Sequence, residues 1–174
     1  MKKQGIKIPT SKHDDSFQRE EKYDFAVGSD HAGFYLKGRI KQYFLKKGKK
    51  VLDVGTYDCK SVDPGPIAER VGQLVAEGTS AKGILVCGTG IGMCMGANKV
   101  FSIRAALCHN TYTARYAKQH NNANVLCLGA RVISEKVGLE CVETWLKGDF
   151  LGKKYARRMD YLDIIEEHSF QRKK

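Results

Sequence analysis

Residues 83–99 read GILVCGTGIGMCMGANK, an apolar run that ends at a cysteine and continues into a loop with three glycines in five residues. The run 83–87 has the length and composition of a buried strand, and the segment 90–99 has the length of a short helix. A strand, a glycine-rich turn and a helix in this order form one unit of a parallel sheet. The stretch therefore predicts an α/β protein.

The same alternation of strand-like and helix-like segments repeats along the chain. The other apolar runs are DFAVGSD (24–30), KKVLDVG (49–55), IRAALC (103–108) and NVLCLG (124–129). The segments of helical length are 33–47, 67–78, 90–99, 111–120, 133–147 and 153–168. Because parallel strands need right-handed crossovers, we predict a doubly wound, five-stranded parallel sheet with helices on both faces, of the Rossmann-like class. We predict a flexible extension over 1–22 and one domain, ending in a C-terminal helix, over 23–174.

Composition narrows the class of protein. The chain has 174 residues, 42% of them hydrophobic and 28% charged, which is typical of one globular domain. It has no apolar run of the ~18 residues that a membrane span needs, and its N-terminus does not look like a secretory signal, so we expect a cytoplasmic protein without a membrane partner. The net charge of +11 is spread along the chain without a long basic run. A solvated surface and an anionic small-molecule ligand explain this charge about as well as a nucleic acid does, and we predict no nucleic-acid partner.

The cysteines show no metal-binding spacing. They stand at positions 59, 87, 94, 108, 127 and 141, and no two of them form a CxxC pair. Apart from Cys87, each is expected to be a small buried hydrophobic residue rather than part of a disulfide or a zinc ligand. We predict no metal site.

The glycine-rich loop matches neither of the two common phosphate-binding motifs. GTGIGM has Met93 where a dinucleotide fingerprint needs its third glycine, and the lysine of a P-loop is missing. What remains is a cluster of backbone N–H groups at a helix start, which suits an anion, with Cys87 placed where positive potential favours a thiolate. From this loop alone the alternative stays open that Cys87 is a buried strand end and the glycines only permit close packing.

Histidines and an aspartate lie near the predicted ends of other strands. Asp30 and His31 follow the first strand, while His109 and His120 are each followed by asparagine, at the two ends of a helical segment. Asp30 could be a simple helix cap and His31 a solvated loop residue. The repeated His-Asn pair beside the strand-end face favours a functional site instead.

These segments together resemble the type B ribose-5-phosphate isomerases and their sugar-phosphate isomerase relatives. The resemblance rests on VGSDHAGFYLK, ILVCGTGIGMCMGANK, IRAALCHNTYTAR, QHNNANVLCLGARV and TWLKGDF, in order over roughly 24–160. It implies a homodimer, with a tetramer as the alternative, that has active sites at the subunit interface and no cofactor. The implied reaction is the interconversion of ribose 5-phosphate and ribulose 5-phosphate through a cis-enediolate, a step of the pentose phosphate pathway.

The resemblance also implies roles for individual residues. Cys87 would be the base that moves a proton between C1 and C2, with Thr89 orienting it or the sugar. His120 and Asp30 would open the furanose ring. The groups that would bind the developing oxyanion or the phosphate are Gly88, Gly90, Gly92, Asn121 of the partner subunit, His31, Arg131, Lys154 and Arg158.

Two departures from the family pattern leave the substrate open. GKKY at 152–155 places Lys154 where relatives have an arginine, and DPGP at 63–66 places Pro64 where they have an aromatic residue. A smaller residue at Pro64 leaves room for a six-carbon substrate such as allose or galactose 6-phosphate. A non-catalytic sugar-phosphate binding module is the other alternative, although such a module would be expected to lose the Cys87 thiol.

Overall fold

The structure, a computed structural model, describes residues 21–171, in which strands and helices alternate until two consecutive helices end the chain's described part. The strands are β1 (Tyr23–Ser29), β2 (Val51–Gly55), β3 (Ser80–Cys87), β4 (Ala105–Leu107) and β5 (Val125–Gly129). The helices are α1 (Phe34–Lys46), α2 (Pro64–Ala76), α3 (Ile91–Ala97), α4 (Thr111–Gln119), α5 (Glu135–Lys147) and α6 (Lys154–Gln171). Nearly all of the predicted extension lies outside the described residues, and the division at residue 22 stays a prediction.

All five strands belong to one parallel sheet in the order β2-β1-β3-β5-β4. The predicted doubly wound architecture is therefore confirmed. The strand in the opening stretch, β3, occupies the centre and pairs with β1 on one side and β5 on the other. Its position explains its unbroken apolar sequence, because a central parallel strand is buried on both faces.

Side chains alternate between two cores, one on each face of the sheet. Along β3, Ile84 and Val86 point into the core covered by α1, α4 and α5, while Leu85 and Cys87 point into the core covered by α2 and α3. The period of two residues follows from the pleat of the strand. The Cys87 side chain therefore lies on the face covered by α2 and α3, at the last residue of β3 before the glycine-rich loop.

A buried ion pair joins α1 to the end of β2. The Lys37 side chain is only 2% exposed, and its Nζ lies 2.5 Å from Asp53 Oδ1 and donates to the Thr56 carbonyl at 2.6 Å. Lys41 contacts the other carboxylate oxygen of Asp53 at 2.8 Å. Thr56 N in turn donates to the Ser29 carbonyl at the end of β1. These contacts fix the carboxyl ends of β1 and β2 relative to each other.

The last helix, α6, is amphipathic but leaves much of its apolar surface exposed. Met159 is buried, whereas Tyr161, Ile164 and Ile165 are each at least 45% exposed. The helix is tied to the body by Glu166, whose carboxylate accepts from Ser102 N at 2.9 Å. Among the described residues, no helix combines the length and hydropathy needed to cross a membrane.

Candidate active site

The carboxyl ends of the three central strands bring three loops together. Ala130 N, after β5, donates to the Cys87 carbonyl at 2.8 Å, and Asp30 N, after β1, donates to the Val86 carbonyl at 3.2 Å. Arg131 N donates to the Gly88 carbonyl at 2.9 Å. The structure therefore gathers eight of the residues selected from the sequence at this edge: Asp30, His31, Cys87, Gly88, Thr89, Gly90, Gly92 and Arg131.

The Cys87 thiol is held inside the glycine-rich loop. Its side chain is 5% exposed, and Gly90 N donates to Sγ at 3.0 Å. Gly90 adopts a left-handed φ of +80°, and a Cβ there would lie 2.4 Å from Leu107 Cδ1, so only glycine fits. A backbone N–H aimed at sulfur stabilises a thiolate more than a thiol. The loop thus directs a backbone N–H at the Cys87 sulfur.

Thr89 occupies the turn of the same loop. Its hydroxyl oxygen accepts from Ile91 N at 3.3 Å, and its carbonyl oxygen lies 3.1 Å from His109 Nε2. His109 follows β4, so it belongs to the same edge of the sheet. The sequence drew attention to His109 only as part of a repeated pair, and it was not among the selected site residues.

Asp30 and His31 form the loop between β1 and α1. Asp30 is 7% exposed, and its Oδ1 accepts from Gly33 N at 3.0 Å within the loop. The N-cap of α1 is Gly33, so the alternative that Asp30 is a simple helix cap is wrong. The turn is close to the neighbouring strand, because a Cβ at Gly33 would lie 2.4 Å from the Val86 carbonyl oxygen. His31 Nδ1 accepts from Val62 N at 3.5 Å. That contact leaves Nε2 as the proton-donating nitrogen of neutral His31.

His120 lies at the opposite edge of the sheet. It ends α4 and precedes the first residue of β5, whereas Cys87 pairs with the last residue of β5, Gly129. The four residue steps from Val125 to Gly129 span roughly 13 Å. The expectation that both His-Asn pairs lie beside the strand-end face is therefore wrong for His120: only His109 lies there.

A second cluster surrounds His120. Its ring stacks on Tyr155 with centroids 4.0 Å apart and planes at 10°. Lys154 Nζ and Arg158 Cζ lie 5.1 and 5.5 Å from the centroid of Tyr155. Leu151 N donates to the Gln119 carbonyl, which holds the connection between α5 and α6 against the end of α4. His120, Lys154 and Arg158 thus share one aromatic platform, with Asn121 next in the chain.

An open groove of about 550 Å³ adjoins this second cluster. It is lined by residues 151–155, which include Lys153 and Lys154. A groove with ammonium groups in its wall suits an anion such as a phosphate. Candidate phosphate-binding groups therefore lie at both edges, with His31 and Arg131 at one and Lys154 and Arg158 at the other.

The remaining cysteines differ from one another in environment. All six are free thiols; Cys108, Cys127 and Cys141 are buried as expected, but Cys59 is exposed and Cys94 is only half-buried, so the expectation of burial is wrong for these two. A hydrogen bond from the Cys127 thiol is the largest influence on Cys94 and lowers its pKa to about 7. Burial raises the pKa of Cys108 to about 12 and that of Cys141 to about 11.

Comparisons with known proteins identify the family. The model of the ribose/galactose isomerase family matches residues 25–162. Ribose-5-phosphate isomerase B of Escherichia coli is 37% identical over 142 residues, which cover 82% of this chain and 95% of that protein. D-erythrulose-4-phosphate isomerase of Pectobacterium atrosepticum is 41% identical over 143 residues, which cover 81% of this chain and 93% of that protein.

Solved structures give the same result. Ribose-5-phosphate isomerase B of Clostridium thermocellum superimposes with a TM-score of 0.82 at 42% sequence identity, covering 83% of this chain and 98% of that one. The fold, the coverage of the chain and the sequence identity all indicate the same family. The chain is a member of the ribose/galactose isomerase family of enzymes.

Proposed function

We propose that this protein interconverts ribose 5-phosphate and ribulose 5-phosphate, with Cys87 as the base. The observation that carries the proposal is the hydrogen bond from Gly90 N to Cys87 Sγ, in a glycine-rich loop whose backbone N–H groups suit an anionic group. Aldose–ketose isomerisation needs a base and fixed donors for a developing oxyanion, and a supported thiolate beside a glycine-rich turn supplies both.

The Cys87 thiolate takes the proton from C2 of the open-chain aldose, and the electrons of that C–H bond form the C1–C2 double bond of a cis-enediolate. Backbone N–H groups of Gly88 and Gly92 stabilise the negative oxygen, while the Gly90 N–H, the third group expected from the sequence, stays directed at Cys87 Sγ. The C2 hydroxyl proton passes to the C1 oxygen, the electrons of the C2 oxygen form the ketone carbonyl, and the C1–C2 double-bond electrons take the proton that the Cys87 thiol returns to C1, which gives the ketose. The base is regenerated as a thiolate, and the reduction of C1 is balanced by the oxidation of C2 in the same sugar.

Ring opening is assigned to His120 and Asp30. The furanose form must move a proton from the anomeric hydroxyl and deliver one to the ring oxygen, and a histidine and a carboxylate suit these two transfers near neutral pH. Asp30 follows the carboxyl end of β1, whereas His120 lies between α4 and the amino end of β5, so in this proposal the two groups reach one sugar from two different chains.

We therefore propose that each active site is built from two chains. One chain provides Asp30, His31, Cys87 and the glycine-rich loop; the other provides the platform of His120 and Tyr155 with Asn121, Lys154 and Arg158. The exposed apolar side chains of α6, which continues directly from this platform, support such an association because they would be covered in a dimer. A two-fold dimer creates two equivalent sites of this kind.

The number of carbon atoms in the sugar is the point on which two candidate substrates differ. Pro64 begins α2 beside the loop, and a Cβ at Gly92 would lie 3.8 Å from its Cγ. The family resemblance implies a larger aromatic side chain at the position of Pro64, which favours six-carbon 6-phosphates such as those of allose or galactose as a second candidate. The relative from Pectobacterium atrosepticum, named for a four-carbon sugar phosphate, shows that family members differ in substrate.

A coupled assay tests the proposal. Ribose 5-phosphate, allose 6-phosphate, galactose 6-phosphate and D-erythrulose 4-phosphate are compared at equal concentration in the presence of EDTA. We expect the highest kcat/KM with ribose 5-phosphate and no loss on chelation. Turnover of a six-carbon substrate alone would replace the primary substrate by the second candidate. Binding without turnover of any of them would favour a binding module.

A further inference from the structure

His109 and Cys87 are connected through a single peptide unit, the one between Thr89 and Gly90. His109 Nε2 lies 3.1 Å from the carbonyl oxygen of this peptide, and the N–H of the same peptide donates to Cys87 Sγ at 3.0 Å. A carbonyl oxygen can only accept, so the imidazole donates its Nε2 proton. The three groups form one chain of hydrogen bonds that ends on the thiol.

The connecting peptide is closely confined by its neighbours. Gly129 of β5 packs directly against it, since a Cβ there would lie 2.6 Å from the Thr89 oxygen. On the other side, Gly90 is wedged between Leu107 and the backbone of Leu128. In a trans peptide the C=O and N–H groups point in opposite directions. A donor that holds the carbonyl therefore also aims the N–H, and in this loop it aims the N–H at Cys87.

We propose that His109 is a positioning residue for the base, which orients and polarises the Thr89–Gly90 peptide so that its N–H stabilises the Cys87 thiolate. This inference rests on the proposed function and extends it to a residue outside the substrate-binding set. Hydrogen bonds in series strengthen one another, and a donor to an ionised acceptor is stronger than a donor to a neutral one. Loss of the imidazole should therefore weaken the support that the Gly90 N–H gives to the Cys87 thiolate.

Two ionisable groups on the neighbouring strands do not supply this donor. Cys127 from β5 lies beneath it, and burial first, followed by the neighbouring thiols, raises the pKa of Cys127 well above its ordinary value, so Cys127 stays protonated. Asp30, at the end of the neighbouring strand β1, directs Oδ1 at Gly33 N. Among the described residues, the hydrogen bond that Cys87 Sγ accepts comes from Gly90 N, whose peptide is contacted by His109.

The test compares His109→Leu, His109→Asn and His109→Gln. A glutamine can place an amide N–H near the position of Nε2, an asparagine is too short to do so, and leucine has no donor. All three are made together with Cys94→Ser, because the pKa of Cys94 is about 7 and its thiolate would add to the signal. The Cys87 thiolate is measured from absorbance at 240 nm against the same variant carrying Cys87→Ala. The rate of Cys87 modification by iodoacetamide at pH 7 is followed by peptide mass spectrometry.

We expect His109→Leu and His109→Asn to slow modification of Cys87 by about fivefold to tenfold, the effect of one hydrogen bond, and His109→Gln to stay within about twofold of the parent. The same variants should lower kcat for ribose 5-phosphate in the same order and leave KM nearly unchanged. His168→Leu, on α6, is the matched control and should change neither quantity.

The inference would be overturned if the asparagine variant, the glutamine variant and the parent showed the same rate of Cys87 modification and the same thiolate absorbance, with circular dichroism unchanged. This comparison holds even if the leucine variant fails to fold. Neither readout requires a sugar phosphate. If the parent shows no isomerase activity while modification of Cys87 still depends on His109, the proposed function fails and the role of His109 in supporting the thiolate stands.

Discussion

The imidazole of His120 lies flat against the phenol ring of Tyr155, with centroids 4.0 Å apart and planes at 10°. Tyr155 is contributed by α6 and His120 by the end of α4, so the stack fixes the imidazole against a separate element of the fold. Lys154 and Arg158 approach the same phenol ring. Tyr155 thus contacts the proposed ring-opening histidine and both proposed phosphate ligands, and Tyr116 of α4 packs against the same imidazole with centroids 4.3 Å apart.

Removing this ring should mainly slow the reaction that begins from the cyclic sugar. An aromatic stack contributes about 0.5–1.5 kcal/mol, so Tyr155→Ala should lower kcat for ribose 5-phosphate by up to about tenfold, while Tyr155→Phe stays near the wild-type value. Exchange of the C1 proton of ribulose 5-phosphate, which cannot form a five-membered ring, should be less affected. Tyr35→Ala, at an exposed tyrosine on α1, is the control. Equal losses in both assays would assign Tyr155 a structural role only.

The pair of Lys37 and Asp53 should be important for stability. Asp53→Asn leaves a buried ammonium without its carboxylate and should reduce the free energy of unfolding by about 3 kcal/mol, measured by urea denaturation at pH 7. Asp58→Asn, at an exposed carboxylate that lies 3.9 Å from Lys60, should have little effect. Similar losses for the two variants would contradict the assigned importance of the buried pair.

The same pair predicts a dependence on pH. Burial alone would raise the pKa of Asp53, but hydrogen bonds from Lys37, Lys41 and Gly55 N outweigh burial and lower it. A carboxylate with a lowered pKa contributes stability above its unfolded pKa of about 4, and that contribution disappears as pH falls through the folded pKa. The stability difference between wild type and Asp53→Asn should therefore be constant from pH 7 to 5 and shrink below about pH 4. A difference that grows on acidification would contradict this sign.

Cys94 should react as a thiolate near neutral pH. With a pKa of about 7 it is mostly protonated at pH 6 and mostly ionised at pH 8, so its alkylation by iodoacetamide should accelerate about tenfold over this range. Cys108 and Cys141, whose pKa values are raised, should react far more slowly in the folded protein. Cys127→Ala removes the thiol that stabilises the Cys94 thiolate and should slow Cys94 at pH 7. An unchanged rate in that variant would exclude Cys127 as the cause.

The sequence predicted the sheet because each strand is a short apolar run bounded by glycine or polar residues, and the central run at 83–87 is apolar on both faces. It placed the start of α2 too late, at 67, because Pro64 and Pro66 resemble a loop; proline is compatible with the first turn of a helix, where α2 uses both.

The contacts that sequence reasoning missed depend on side-chain directions across separate elements. Lys37 is one of several lysines along α1, and no local pattern marks it as the one that turns inward to Asp53. The two His-Asn pairs look equivalent in sequence, yet a helix separates them and carries His120 to the other edge of the sheet. The position of His120 could have been predicted from the alternation of strands and helices. A residue that ends a helix and precedes a parallel strand lies at the amino end of that strand.

A site shared by two chains should be restored by mixing two inactive variants. Cys87→Ala and Asn121→Ala subunits would combine so that one site of each mixed dimer is intact and the other carries both lesions. Random exchange makes about half of the dimers mixed, so about a quarter of wild-type activity should return. Absence of recovery, with exchange verified by native mass spectrometry, would show that each site belongs to one chain.

The most direct test of the central claim is the turnover of ribose 5-phosphate by Cys87→Ala. Alanine fits the strand end and leaves the backbone N–H groups of the loop in place, so the fold and the binding of phosphate ligands should be retained. General base catalysis contributes about 10²–10⁴-fold, and we predict a loss of kcat of at least about 10³-fold with circular dichroism unchanged. Activity within about tenfold of wild type would contradict the assignment of Cys87 as the base.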